Sequence, residues 1–270
     1  MIKVSQIHIY PVKSLAGYSP EEAWLASAGF VHDRQWMIVS PEGRMMTQRE
    51  HPQMALISAS ISDDNLVLSS FGMENFSLAV DLESEHQVST EVFGDRLRGA
   101  RVSDDADEWL SQALGVECML VGFPSGQTRP CDPAVSSDGD HTLFADAFPL
   151  LILSQASQDQ LNEKLQNPVG INRFRPNIVL SGCNPHDEDS WQNISISAVP
   201  LRIVDHCARC SVPTVDPDAG VLSGPEPIAT LASYRSREGE IYFGVNAAPD
   251  QEGRISIGDD VTVLSAEQSP

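Results

Sequence analysis

Two thiols close a four-residue stretch, Cys207-Ala208-Arg209-Cys210, whose residue types are suited to chemistry. A thiolate is a nucleophile and a soft metal ligand, and Arg209 between the sulfurs favours the anion by charge. The alternating Leu201-Arg202-Ile203-Val204 before the pair reads as a strand, and Ser211 to Pro217 after it reads as a loop. Both sulfurs are therefore expected where a buried strand gives way to a loop.

Several chemistries suit such a pair. Half of a zinc site needs a second close pair of Cys or His, yet Cys118, Cys131 and Cys183 stand isolated. A dithiol redox pair normally opens a helix, whereas Val212, Pro213, Thr214 and Pro217 follow here. A single thiolate on a transition metal, with Cys207 as a packing residue, is the third reading; a purely structural pair is the fourth, since cysteine packs as a small hydrophobe.

Other residues could join a site. Lys13-Ser14 follows a strand and Pro11, where an ammonium beside a hydroxyl suits a phosphate, although a lone lysine there is usually just solvated. Arg34 precedes the apolar Trp36-Met37-Ile38, where pairing with Asp33 is the bland alternative. Arg175 and Asn177 flank Pro176 and could present a fixed hydrogen-bonding edge, or simply anchor a loop. His206 and Cys183 read as structural, and Gly258-Asp259-Asp260 as a hairpin turn.

The elements that position these residues are mostly strands. Apolar runs at 36–39, 54–61, 66–68, 76–80 and 88–93 alternate with turn residues, and a barrel or rolled sheet is their natural packing. Ser103 or Asp104 caps a helix whose Ala106, Trp109, Leu110, Ala113 and Leu114 form one face, ended by Gly115. Residues 123–141, rich in Pro, Ser, Asp and Gly, read as a linker or exposed loop between halves at 1–122 and 142–270. The second half mixes strands at 150–153, 177–180, 201–204 and 261–264 with helices near 156–165 and 227–234, the first capped by Ser154. The expected fold is mainly β with some α.

Composition narrows the partners. Lys plus Arg number 17 against 38 Asp plus Glu, a net charge of -21, which disfavours nucleic acid and anionic membranes and suits, if anything, a basic redox partner. No apolar run approaches the roughly 18 residues of a membrane helix, and no signal-type region follows Met1. Five cysteines at irregular spacing suggest reduced thiols in a cytoplasm.

Five short motifs in order give the chain a resemblance. Ile9-Tyr10-Pro11-Val12-Lys13-Ser14, Asp33-Arg34-Gln35-Trp36, Phe174-Arg175-Pro176-Asn177-Ile178-Val179, Glu188-Asp189-Ser190-Trp191 and Cys207-Ala208-Arg209-Cys210 with Thr214-Val215-Asp216-Pro217 are similar to those of the MOSC domain family, which binds the molybdenum cofactor. The resemblance implies an N-terminal β-barrel domain and a MOSC β-barrel domain with a molybdenum–molybdopterin cofactor between them. It implies that Cys210 is the metal ligand, and that Lys13, Ser14 and Arg34 hold the pterin phosphate. It also puts Asp146, Arg175 and Asn177 beside the cofactor, although Ala147 and Phe148 replace polar residues expected next to Asp146. The implied activity is reduction of N-hydroxylated or N-oxide substrates; a non-catalytic cofactor or sulfur carrier is the alternative, and pyridoxal phosphate binding attaches to the superfamily only at its broadest. No cysteine follows Cys210, so a separate ferredoxin-, flavodoxin- or cytochrome-type donor is expected.

Overall fold

The first strand of the chain closes a barrel built otherwise from its second half. In this computed structural model, which describes residues 1–81 and 85–266, the ring runs Ile2–Ile7, Asp260–Ala266, Trp191–Ile196, Val199–Ala208, Glu240–Pro249, Leu150–Ser154 and Ile178–Ser181, and returns to Ile2–Ile7. Leu150–Ser154 and Ile178–Ser181 are parallel, and helix Gln155–Lys164 makes the crossover between them. As expected, Ser154 caps that helix: its hydroxyl accepts from Ser157 N at 3.1 Å.

Alternation fills the barrel. Ile7, Ile152, Ile178, Leu180, Ile194, Leu201, Val245 and Ala247 are all buried in one cluster. Burying such side chains contributes roughly 1.5–3 kcal/mol each relative to exposure, which makes the barrel the rigid half of the site.

A curled sheet occupies the remainder of the first half. Trp36–Val39, Met119–Gly122, Asp95–Arg101 and Gln87–Val92 pair in that order, and Ser58–Ser62, Asn65–Ser69 and Phe76–Ala79 form a meander beside them. Helix Asp104–Leu114 packs Ala106, Leu110 and Leu114 into the core between the two sheets. Ser103 accepts from Ala106 N at 3.1 Å, and Gly115 ends the helix at φ 68°. The mainly β fold with a few helices is thus the one the turn spacing predicts.

Three details differ from the expectation. The run 54–61 is not one strand, because Pro52 starts a short 3-10 helix through Leu56 before Ser58–Ser62 begins. Gly258 does sit in a turn, at φ 92°, but it is no hairpin: Gly253–Ser256 pairs with Glu22–Ala26 while Asp260–Ala266 enters the barrel. Within 123–141, Arg129–Pro130 pairs with His141–Thr142, and Arg129 is buried with its guanidinium on the carbonyls of Ala145 (2.5 Å) and Asp146 (3.0 Å).

Among the described residues no helix is long and apolar enough to cross a membrane.

Candidate functional site

All seven residues singled out from the sequence meet in one cleft. Lys13, Ser14, Arg34, Asp146, Arg175, Asn177 and Cys210 line a cavity of about 250 Å³ between the barrel and the curled sheet. They arrive from five separated segments, each held by backbone pairing. Lys13 N donates to Trp36 O at 2.8 Å and Arg34 N to Tyr10 O at 2.8 Å, so the first two segments brace each other. Asn177 N donates to Leu151 O at 2.8 Å at the entry of its barrel strand.

The backbone is strained where these side chains emerge. Ser14, Arg34 and Arg175 adopt φ of 68°, 47° and 55°, the left-handed region that non-glycine residues rarely enter. Each such residue costs about 1–3 kcal/mol and clusters of them mark functional sites. Arg175 takes this conformation as the cap of the 3-10 helix Ile171–Phe174, which turns its side chain into the cleft.

Cations dominate the cleft although the chain is strongly acidic. Lys13, Arg34, Arg49, Arg175 and Arg209 line it, and Asp146 is its only acidic lining residue among those described. Lys13 is buried; its ammonium donates to Phe144 O at 2.7 Å and pairs with Asp146. Burial pushes the Lys13 pKa down, and Asp146 opposes this. For Asp146, its position in the cleft works against ionisation, but Lys13 outweighs that and, helped by Arg34 and Arg49, holds the carboxyl well below the usual range. Its side chain is still 66% exposed, so the pair is a rim feature whose energy solvent screens.

Two arginines share one aromatic ring. The guanidiniums of Arg34 and Arg175 lie 4.4 and 4.2 Å from the Tyr10 ring centroid. Arg34 also donates to Asp33 at 2.5 Å, Asn177 Oδ1 at 3.0 Å and Arg175 O at 3.2 Å. Arg175 donates from Nη1 to Leu15 O at 2.7 Å, while its buried Nη2 has no partner. Burial and the neighbouring Arg34 push the Arg175 pKa down to about 10.

The two thiols occupy different environments. Cys207 is the half-buried one: Arg209 Nη1 stands 3.1 Å from its sulfur, yet burial outweighs that charge and raises the thiol pKa. Arg209 thus serves Cys207, and its own buried Nε has no partner. Cys210 is exposed at the cleft mouth, with Arg49 Nη2 3.7 Å from Sγ. All five cysteines are free, and no three His, Cys, Asp or Glu among the described residues converge as metal ligands. A protein-only zinc site has no ligand set here.

The sequence reading missed four supporting residues. Arg49 sits in Thr47-Gln48-Arg49, a loop without a distinctive motif; Gln48 Nε2 donates to Ser14 O at 2.7 Å. Arg129 was hidden in a segment that reads as loop. Tyr10 was visible as part of a motif, but its role as a platform for two guanidiniums depends on a contact across the sequence. Of the two readings open for Asn177, a hydrogen-bonding edge or a loop anchor, its side-chain bonds are those of an anchor: Oδ1 accepts from Arg34 and Leu151 N, and Nδ2 donates to His8 O at 3.2 Å.

Comparison with known proteins matches the description "MOSC N-terminal beta barrel domain" to residues 1–117 and "MOSC domain" to residues 139–262. A mitochondrial amidoxime-reducing component 1 from Mus musculus is 37% identical over 97% of this chain and 82% of its own length. A mitochondrial amidoxime reducing component 2 from Bos taurus is 34% identical over 96% of this chain and 82% of its own. A molybdenum cofactor sulfurase from Solanum lycopersicum is 30% identical over 96% of this chain, which spans 35% of that longer protein.

Proposed function

The chain belongs to the MOSC family, and on that premise we propose that it is a molybdenum-cofactor-dependent reductase of N-hydroxylated compounds, fed by a separate electron donor. The observation that carries this reading is the convergence of five cations and one exposed thiol in a single cleft of an acidic chain.

The residues present fit the cofactor. Arg175 Nη2 and Arg209 Nε are buried donors without protein partners, a costly arrangement that an anionic ligand would relieve. Lys13, Ser14 and Arg34 would hold the pterin phosphate, and Arg175 would supply donors to the pterin. Asn177 and Asp146 act through neighbours, the first by orienting Arg34 and the second by fixing Lys13. Cys210 would be the one protein ligand to the metal, with the remaining sulfur ligands supplied by the cofactor. When bound, the cofactor supplies the two-electron redox chemistry.

The chain's own residues do the rest. Arg49 stands within reach of the Cys210 sulfur at the cleft mouth. Phe148, Leu151 and Phe174 line the cleft with apolar surface and restrict water. The balanced reaction converts N–OH to N–H with two electrons and two protons and releases water. Five free cysteines support a reducing, cytoplasmic setting.

The likeness to the Solanum lycopersicum sulfurase supports a second reading, a carrier of cofactor or sulfur that turns nothing over. Protein purified from a cofactor-synthesising host separates the two. Molybdenum near one per chain together with dye-driven amidoxime reduction supports the reductase. Bound molybdenum with no turnover across amidoximes and N-oxides supports the carrier, and no molybdenum in loaded cells overturns both.

A further inference from the structure

Beside the cleft lies an arginine shelf whose Arg44, Arg96 and Arg98 the reductase reading does not use. Its floor is the hairpin Gln87–Val92 and Asp95–Arg101. Arg96 and Arg98 stand two apart on the second strand, so both side chains leave the same face. Arg44 joins them because residue 44 bridges to Glu91 on the neighbouring strand. That approach depends on Gly43, where a Cβ would stand 2.1 Å from Ser89 O.

The shelf and the cleft share Arg49 and Phe93, so they form one continuous surface. Phe93, in the hairpin turn at φ 49°, keeps half of its surface exposed, and Arg49 lies over its ring at 5.2 Å. Arg44, Arg96 and Arg98 are exposed, and none is among the ion pairs of the described residues. Glu42 and Glu91 are the acidic groups lining the shelf, so four arginines outnumber two carboxylates there. In a chain of net charge -21, exposed arginines that outnumber the carboxylates beside the exposed thiol are a local inversion of sign.

We propose that this shelf is the docking surface for an acidic electron-transfer protein, which the reductase reading above requires and on which this inference rests. The basic rim steers a negatively charged donor toward the cleft mouth, while the remaining acidic surface repels it from unproductive faces. A basic partner, the choice that net charge alone favours, would be drawn everywhere except to the redox centre.

The test uses the full, cofactor-loaded chain and an acidic plant-type [2Fe–2S] ferredoxin as probe, with basic cytochrome c as comparison. Calorimetric titration should show ferredoxin binding that weakens steeply with salt and falls about tenfold or more in the Arg44→Glu, Arg96→Glu, Arg98→Glu variant. Reduced methyl viologen, itself a cation, should drive amidoxime turnover in the variant no more slowly than in wild type. Ferredoxin affinity that the variant leaves unchanged, or tighter binding of cytochrome c than of ferredoxin by wild type, overturns the proposal. So does a variant that impairs viologen-driven turnover of an anionic amidoxime while binding ferredoxin normally, which would make the shelf part of the substrate site. These binding readouts stand whether or not turnover occurs; absent viologen-driven turnover in wild type would count against the reductase reading.

Discussion

Arg34 Nη1 donates to Asn177 Oδ1 at 3.0 Å across 143 positions of sequence, and the same guanidinium pairs with Asp33 at 2.5 Å. One side chain therefore ties the first half of the chain to the entry of a barrel strand. Asp33 is buried, and besides Arg34 it accepts from Tyr10 N at 2.8 Å.

Replacing Arg34 by Gln should therefore strand a buried carboxylate. The expected cost is about 3–5 kcal/mol, and Asp33→Asn in the same chain should recover part of it. Denaturant unfolding of both variants checks this; an Arg34→Gln midpoint equal to wild type would refute the coupling.

The two thiols should respond differently to removal. Cys210→Ala should lower molybdenum-dependent amidoxime reduction by at least about 100-fold, the upper end of what even an outer-shell change does, with little change in thermal stability because the thiol is exposed. Cys207→Ser should keep the metal and cost about 1 kcal/mol through its packed contact with Arg209. Metal analysis and melting curves on both proteins decide; equal metal loss in the two would remove the distinction.

Two half-buried histidines should make the fold sensitive to mild acid. His8 and His186 have pKa values lowered from 6.5 to about 4, by burial first, then by Arg34 and Arg235 respectively. Between those pH values the unfolded chain binds protons that the folded chain refuses. Stability is thus full above about pH 6.5 and falls toward pH 4, by on the order of 3 kcal/mol per histidine. His186→Gln should flatten that slope in denaturant titrations at pH 7, 5.5 and 4.5; a slope unchanged by the substitution would count against it. A second decline should follow at lower pH, as Asp146, depressed by Lys13, takes up its proton.

Two glycines with similar backbone angles should differ in their tolerance. Gly43 (φ +81°) would place a Cβ 2.1 Å from Ser89 O, whereas Gly72 (φ +79°) has nothing within 4 Å. Gly72→Ala should cost about 1–2 kcal/mol for the left-handed backbone alone. Gly43→Ala should cost clearly more and also weaken ferredoxin binding by shifting Arg44. Equal melting temperatures for the two would contradict the close approach.

Local signals in the sequence located the elements well. Ser103 and Gly115 mark both ends of helix Asp104–Leu114, and Ser154 marks the start of Gln155–Lys164. Six of the seven site residues could be read because they lie in short motifs, Asp146 being the exception, and all seven share a cleft. What each one touches could not be read, because those partners are distant. Asn177 looks like a free amide until Arg34 and His8 are found against it, and Arg129 looks like loop until its guanidinium is seen under Ala145 and Asp146. The arginine shelf was invisible for a related reason: a net charge sums over the surface, and Arg44, Arg96 and Arg98 meet only once the hairpin and the 40–44 turn are folded.

The pairing of Ile2 with Val261 and Lys3 with Asp260 also orders events during synthesis. The strand Ile2–Ile7 is made some 250 residues before its partner Asp260–Ala266, and some 170 residues before its other partner, Ile178–Ser181. Until then Val4 and Ile7 have no barrel to enter, and the nascent chain carries an unsatisfied strand edge that can be captured by other chains. Slow translation or an early stop should therefore yield aggregation rather than a free-standing first half, and chaperone demand should persist until the last barrel strand emerges.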